Sequence, residues 1–230
     1  MNTKNITMKK SDVIIYEATA KLNSKWIDEN SVSHDFANGK GTITLKDGVT
    51  KIGDSTFINC GNLTKVVIPD SIEAIGGWAF YECDSLASVT IPDSVTFIGE
   101  CAFGGCSSLS SIVIPASVTE ICAVTFSGCS SLKSLVIPNS VTKIGNGAFS
   151  HCSALESVVI PESVTTIGAC AFAACKGLAS IIIPDSVVEI GSSAFYGCKK
   201  LSADTTAKIS KVNNMAFSEN EVIKTFSYLF

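Results

Sequence analysis

The chain has 230 residues, a formal net charge of −4 and a hydrophobic fraction of 46%, ordinary proportions for a folded globular chain. All 17 basic residues are lysine and none is arginine. Lacking arginine's planar fork and carrying a net negative charge, the chain is not expected to bind nucleic acid. No run approaches the roughly 18 apolar residues of a membrane span.

From Met1 to Lys25 there are lysines but no apolar core of a signal peptide, the longest apolar stretch being Val13-Ile14-Ile15-Tyr16. By itself this stretch gives no route out of the cytoplasm. Asp12 to Trp26 reads as a strand followed by a short helix. Residues 1–34 are expected to form a capping segment and residues 35–230 a repeat array. His34 to Leu45 opens the array as a degenerate unit that keeps only Ile43, Leu45, Val49 and Ile52 of the later pattern, with Gly48 in place of Ser.

A phrase of about 23 residues then recurs seven times without a slip. Phe recurs at Phe57, Phe80, Phe103, Phe126, Phe149, Phe172 and Phe195, and a Cys follows each by three residues, from Cys60 to Cys198. Leu recurs from Leu63 to Leu201, and all six prolines share one column, Pro69 to Pro184. Such a period predicts a solenoid in which each unit buries its apolar face against its neighbours. Leu-x-x-Val-x-Ile-Pro (Leu86, Val89, Ile91, Pro92) alternates as a half-buried strand, and these strands are expected to form one long parallel sheet. Proline ends each strand and Asp-Ser or Asn-Ser makes a turn. Val-x-x-Ile-Gly (Val95, Ile98, Gly99) turns the corner and leads into a short helical turn with Ala102, Phe103 and Cys106 facing the core. The fold class is therefore α/β: a solenoid with one parallel sheet and short helical turns opposite. The last unit, Val212 to Asn220, replaces Cys by Asn and arrives one residue early, as a cap would.

At Cys-Ser-Ser-Leu-x-Ser-x-x-Ile-Pro-x-Ser-Val-Thr-x-Ile-Gly, seen at Cys106–Ile121 and Cys129–Gly145, the sequence resembles the BspA-type leucine-rich repeats of bacterial surface proteins. The resemblance covers roughly residues 40–217, and Tyr16–Leu22 with His34–Ile43 resembles the leader of short members from gut anaerobes. It implies a right-handed leucine-rich-repeat solenoid, a place at the cell surface or outside the cell, and adhesion to host matrix proteins or other bacteria.

Ten cysteines raise metal and disulfide chemistry. A ladder with 23-residue gaps does not converge four ligands on a point, so no metal is expected. Rung-to-rung disulfides are within reach of the required Cα spacing, but parallel side chains in a core favour free thiols that behave as small hydrophobes. Cys101, Cys122 and Cys170 lie off the ladder, and Cys122, which replaces a corner glycine, is the one expected to be strained or exposed. The unit around Cys122-Ala123-Val124-Thr125-Phe126 is expected to be the weakest. His34 falls in a cap and His151 on an outer turn, where an exposed, inert side chain is expected. No nucleophile–base–orienter set assembles, so no enzyme and no cofactor are expected.

Two surfaces compete as binding sites. Outward strand positions form a hydroxyl row, including Ser88 and Ser111, beside a β-branched row, including Thr90 and Val113. The rival is an acidic edge with aromatics, Asp70, Glu73, Trp78, Tyr81, Glu82 and Asp93, within a lysine-free stretch from Val66 to Leu132. The expectation is a monomeric, non-enzymatic binding module for a protein or glycan partner; the alternative is an intracellular interaction scaffold using the same surface.

Overall fold

The computed structural model describes residues 12–219; residues 1–11 of the expected capping segment and the end of the expected C-terminal cap, residues 220–230, lie outside the described residues. The repeats wind into a solenoid whose turns each have three sides. On the first side lie β5 (Leu63–Val67), β7 (Ser88–Thr90), β10 (Ser134–Val136), β12 (Ser157–Val159) and β14 (Ser180–Ile182). Neighbours pair in parallel with partners one repeat apart, such as Ser134↔Ser157 and Ser157↔Ser180. After the proline, a second side carries two-residue strands: β4 (Lys51–Ile52), β6 (Ala74–Ile75), β8 (Phe97–Ile98), β9 (Glu120–Ile121), β11 (Lys143–Ile144), β13 (Thr166–Ile167) and β15 (Glu189–Ile190).

The third side consists of tight turns where the three- and four-residue spacing predicts helical ones. Two residues per repeat adopt left-handed backbone: Trp78 and Glu82 (φ 54° each), Cys101 (55°) and Gly105 (75°), Val124 (59°) and Gly128 (74°). A left-handed residue every fourth position cannot sustain an i→i−4 ladder. The amides bond between rungs instead: Ser55 N–H to Gly77 O (2.9 Å), Phe57 N–H to Ala79 O (2.7 Å) and Asn59 N–H to Tyr81 O (2.7 Å).

Inside, the phenylalanines stack face to face from Phe57 to Phe195, with centroids 5.1–5.7 Å apart and planes within 20° of parallel. Beside them each ladder thiol from Cys83 to Cys198 donates to the carbonyl of the preceding rung's phenylalanine, as Cys106 does to Phe80 O at 3.1 Å and Cys175 to Phe149 O at 3.1 Å. All ten cysteines are free thiols. The buried sulfur therefore fills apolar space and gives its proton to a carbonyl that also accepts the cysteine N–H of its own turn, as Phe80 O does from Cys83 N–H at 3.3 Å. One exposure differs from expectation: the ladder's first member, Cys60, is half-buried because no regular repeat precedes it. Off the ladder, Cys101 and Cys170 are buried and Cys122 is partly exposed.

Both sheets divide at the same place. In the corner column a glycine is needed because the preceding turn presses on it: a Cβ on Gly99 would lie 2.6 Å from Gly77 N, and one on Gly145 2.7 Å from Ala123 N. Cys122 occupies this column and does carry a Cβ. Between its turn and the preceding one, β8 and β9 are unpaired, and Ser111–Val113 keeps only an isolated bridge from Val113 to Val136 on its other side. The bonds Gly99 N–H to Ile75 O (2.9 Å) and Gly145 N–H to Ile121 O (2.8 Å) have no counterpart from Cys122 to Ile98 among the described residues. The turn-side bonds continue across, Phe103 N–H reaching Thr125 O at 2.9 Å. The expected single sheet is thus split by a seam that the turns hold shut.

At the N-terminal end, β1 (Val13–Ala18), α1 (Lys25–Asn30), β2 (Ser31–Ala37) and β3 (Lys40–Leu45) form the cap. β1 is wedged antiparallel between β3 and β5, so the array's exposed edge is paired rather than open. The expected boundary at 34/35 falls inside β2, because the β2–β3 hairpin belongs to the antiparallel cap. Tyr16 anchors it: the ring lies over Gly41 and stacks on Phe36 at 5.9 Å, and the hydroxyl bonds His34 Nε2 at 2.8 Å. At the other end the proline column is absent after Leu201, and α2 (Ala203–Val212), N-capped by Ser202, replaces the next strand. Its Ile209 is buried, and Asn213 Nδ2 donates to Ile190 O at 2.7 Å. The sequence reading missed this helix, although Ser202 with Asp204 in the first turn is a start signal.

Candidate functional site

Alternation along the strands decides what the first side offers. Val66, Leu135, Val158 and Ile181 point inward and are buried. Their neighbours point out: Val113 and Val136 are each 78% exposed, Val159 58% and Ile182 60%. Parallel pairing aligns Val136, Val159 and Ile182 in one row, and the bridge extends it to Val113. Ser111, Ser134, Ser157 and Ser180 are exposed in the adjacent row, and Ser88 and Thr90 continue both rows on β7. The seam lies between β7 and Ser111, so the face has a rigid part and a shorter N-terminal part.

The residues of the acidic edge do not converge. Asp70 and Asp93 are exposed at the corner after each proline, and Glu73 stands just before β6. Trp78, Tyr81 and Glu82 lie beyond the second side, on the turns. Trp78 is 43% exposed, and the Tyr81 ring packs over Gly104 of the next turn, where a Cβ would come within 3.0 Å. What is contiguous in sequence is wrapped around the contour of one rung, with Asp93 on the corner of the next.

The titratable groups are shaped mainly by burial. Desolvation pushes Cys106 and Cys198 up to about 12, opposed by hydrogen bonds with the backbone of Cys83 and Cys175 respectively, and it pushes Cys101 and Cys170 up to about 11. Cys122 is raised by burial and then by Glu120 and Glu100. His151 is partly buried rather than exposed; it bonds Ser150 Oγ through Nδ1 at 2.8 Å, and burial followed by Lys176 lowers its pKa. Among the described residues no group of three or more His, Cys, Asp or Glu is placed to hold a metal ion, and no helix is long and apolar enough to cross a membrane.

A groove of about 500 Å³ runs along the turn side from Glu82 and Asp84 to Lys176. The sequence reading did not find it. Its signal was the column Asp84, Ser107, Ser130, Ser153, Lys176, which passes from acid through hydroxyl to base.

A family profile described as a BspA type leucine rich repeat region matches residues 35–156 and 142–229 in six copies. Among solved structures, the leucine rich repeat protein of T. pallidum is 35% identical with a TM-score of 0.70, over 74% of this chain and 80% of that one. A leucine rich cell surface protein from Faecalibacterium prausnitzii is 40% identical (TM-score 0.61, 75% and 45%), and a leucine-rich repeat protein from Bacteroides ovatus 30% identical (0.53, 74% and 54%). This chain spans about half the length of the latter two. No functionally curated protein matches it.

Proposed function

We propose that this chain, which belongs to the BspA-type leucine-rich-repeat family, is a non-enzymatic module that binds a protein partner through the exposed face of β10, β12, β14 and Ser111–Val113. One observation carries the reading: four β-branched side chains, each more than half exposed, stand in line beside a row of hydroxyls. Single exposed valines are ordinary, but a continuous apolar row rimmed by polar groups is what a protein contact uses. The hydroxyls supply hydrogen bonds at little entropic cost, and the rigid sheet presents both rows ready-made. Asp70, Glu73 and Asp93, on the corner between the two strand sides, raise the encounter rate of a basic partner.

The cell-surface relative supports a place outside the cell and a role in adhesion; glycan binding is the secondary form of the same reading, and an intracellular scaffold the alternative. The test replaces Val136 and Val159 together by Lys. Cross-linking to surface proteins of host cells and neighbouring bacteria is expected to give partners with the native protein and to lose them with this folded variant. Identical capture by both proteins overturns the proposal, and protease shaving of intact cells that leaves the protein untouched moves it inside.

A further inference from the structure

The turn-side groove is separate from the strand face, and its charges are arranged by position. Glu82 and Asp84 stand exposed at one end and Lys176 at the other. There it continues into a second, more apolar hollow of about 770 Å³, which shares Ala174 and Lys176 and adds Lys199, Lys200, Tyr196 and Phe217. The floor is open at Gly105 (φ 75°), Gly128 (74°) and Ala174 (57°), where its left-handed column carries little side chain, and is narrowed between Gly128 and Ala174 by the imidazole of His151 (φ 62°). One wall is a hydroxyl rail in which Ser107 donates to Asp84 O (3.3 Å), Ser130 to Ser107 O (3.4 Å) and Ser153 to Ser130 O (3.5 Å). With its proton engaged, each hydroxyl retains lone pairs that can accept.

We propose that this groove seats an extended peptide segment of a partner protein, with basic residues at the Glu82–Asp84 end and acidic residues followed by an aromatic one at the Lys176–Lys199 end. The proposal rests on reading the chain as a protein-binding module but uses a different surface. Five rung spacings of about 4.8 Å separate the Glu82 turn from the Gly197 turn, a track of roughly 24 Å. An extended chain at about 3.3 Å per residue covers it with about seven residues. A peptide matches all the features: its side chains answer both charges, its amides donate to the serine oxygens, and its aromatic end enters the hollow beside Tyr196 and Phe217. A neutral glycan leaves both charged ends unanswered, and a nucleic acid is repelled by the acids.

The experiment uses end-capped fluorescent peptides and anisotropy at low salt. The bipolar probe is Lys-Lys-Ser-Gly-Ser-Gly-Glu-Glu-Phe; controls carry Lys in all four charged places or Glu in all four. The native protein is expected to prefer the bipolar probe over either control by about tenfold, with the preference shrinking as salt rises. Glu82→Lys with Asp84→Lys is expected to switch preference to the all-acidic probe, and Lys176→Glu with Lys199→Glu to the all-basic one. These exposed substitutions leave the core intact, which circular dichroism checks. No binding, no preference for the bipolar probe, or unchanged preference in both variants overturns the proposal. The groove variants retain the strand face, so partner capture that survives in them separates this failure from failure of the strand-face reading.

Discussion

At the residue scale the ladder cysteines from Cys83 to Cys198 do two jobs, filling apolar space and donating to the phenylalanine carbonyl of the rung before. Burial raises their pKa values, so thiolate is scarce at neutral pH and reagents meet little of it. A thiol reagent applied to the native protein is expected to label Cys122 and Cys60, which are part-exposed, and to reach Cys106, Cys129 or Cys152 only on unfolding. Mass spectrometry of the labelled sites checks this; early labelling of Cys129 would mean the column opens. The same shifts set a pH limit. From the ordinary value of 9.0 upward the unfolded thiols ionise while the buried ones stay protonated, so stability is full below about pH 9 and falls above it. Gly41 shows the opposite constraint, a place where no side chain fits. A Cβ there would meet Tyr16 Cζ at 1.9 Å, so Gly41→Ala is expected to cost about 1–3 kcal/mol in a denaturant melt by displacing the ring.

At the element scale the seam beside Cys122 is the weak joint. Strand pairing is missing there on two of three sides, and Val124 adds a β-branched residue in left-handed backbone (φ 59°). Amides of β8, β9 and Ser111–Val113 are expected to exchange faster than those of β12 and β13. Cys122→Gly should slow that exchange by letting the turns close, whereas Cys122→Ser, which keeps the Cβ, should not. Equal exchange in the glycine and serine variants would show that the Cβ is not what parts the sheets. In the turns themselves Ala102, Phe103 and Cys106 have helical spacing, yet the backbone there is not helical. Spacing reports which side chains face the core, and a chain with left-handed corners satisfies it as well as a helix does.

For the whole molecule, stability is carried from end to end by neighbour contacts, so the caps matter more than their size suggests. The N-terminal cap depends on Tyr16–His34, and burial, reinforced by Lys21 and opposed by Asp35 and Asp28, lowers the pKa of His34 below the ordinary 6.5. The unfolded histidine therefore takes up a proton before the folded one. The cap's stability is expected to be full above about pH 6.5 and to fall as pH drops below it, seen as faster exchange of β1 and β3. His34→Gln, which can still hydrogen-bond Tyr16, should remove that pH dependence; its persistence would place the titrating group elsewhere.

The sequence by itself determined the repeat, its 23-residue register, the inward Phe, Cys and Leu columns and the outward serine and valine rows. Each follows from a period that stacks like on like, so one aligned copy predicts its neighbours. The tertiary structure alone decided where adjacent turns press together: that glycine is required at the corner, that Cys122 parts the sheets, and that β1 enters between β3 and β5. It also decided which surface residues share a face. Asp70 and Glu82 are close in sequence yet stand on different sides of one turn, while Asp84 and Lys176 are far apart in sequence yet lie along one groove. Contacts within a rung run around its contour and contacts between rungs run along the axis, and only coordinates distinguish the two directions.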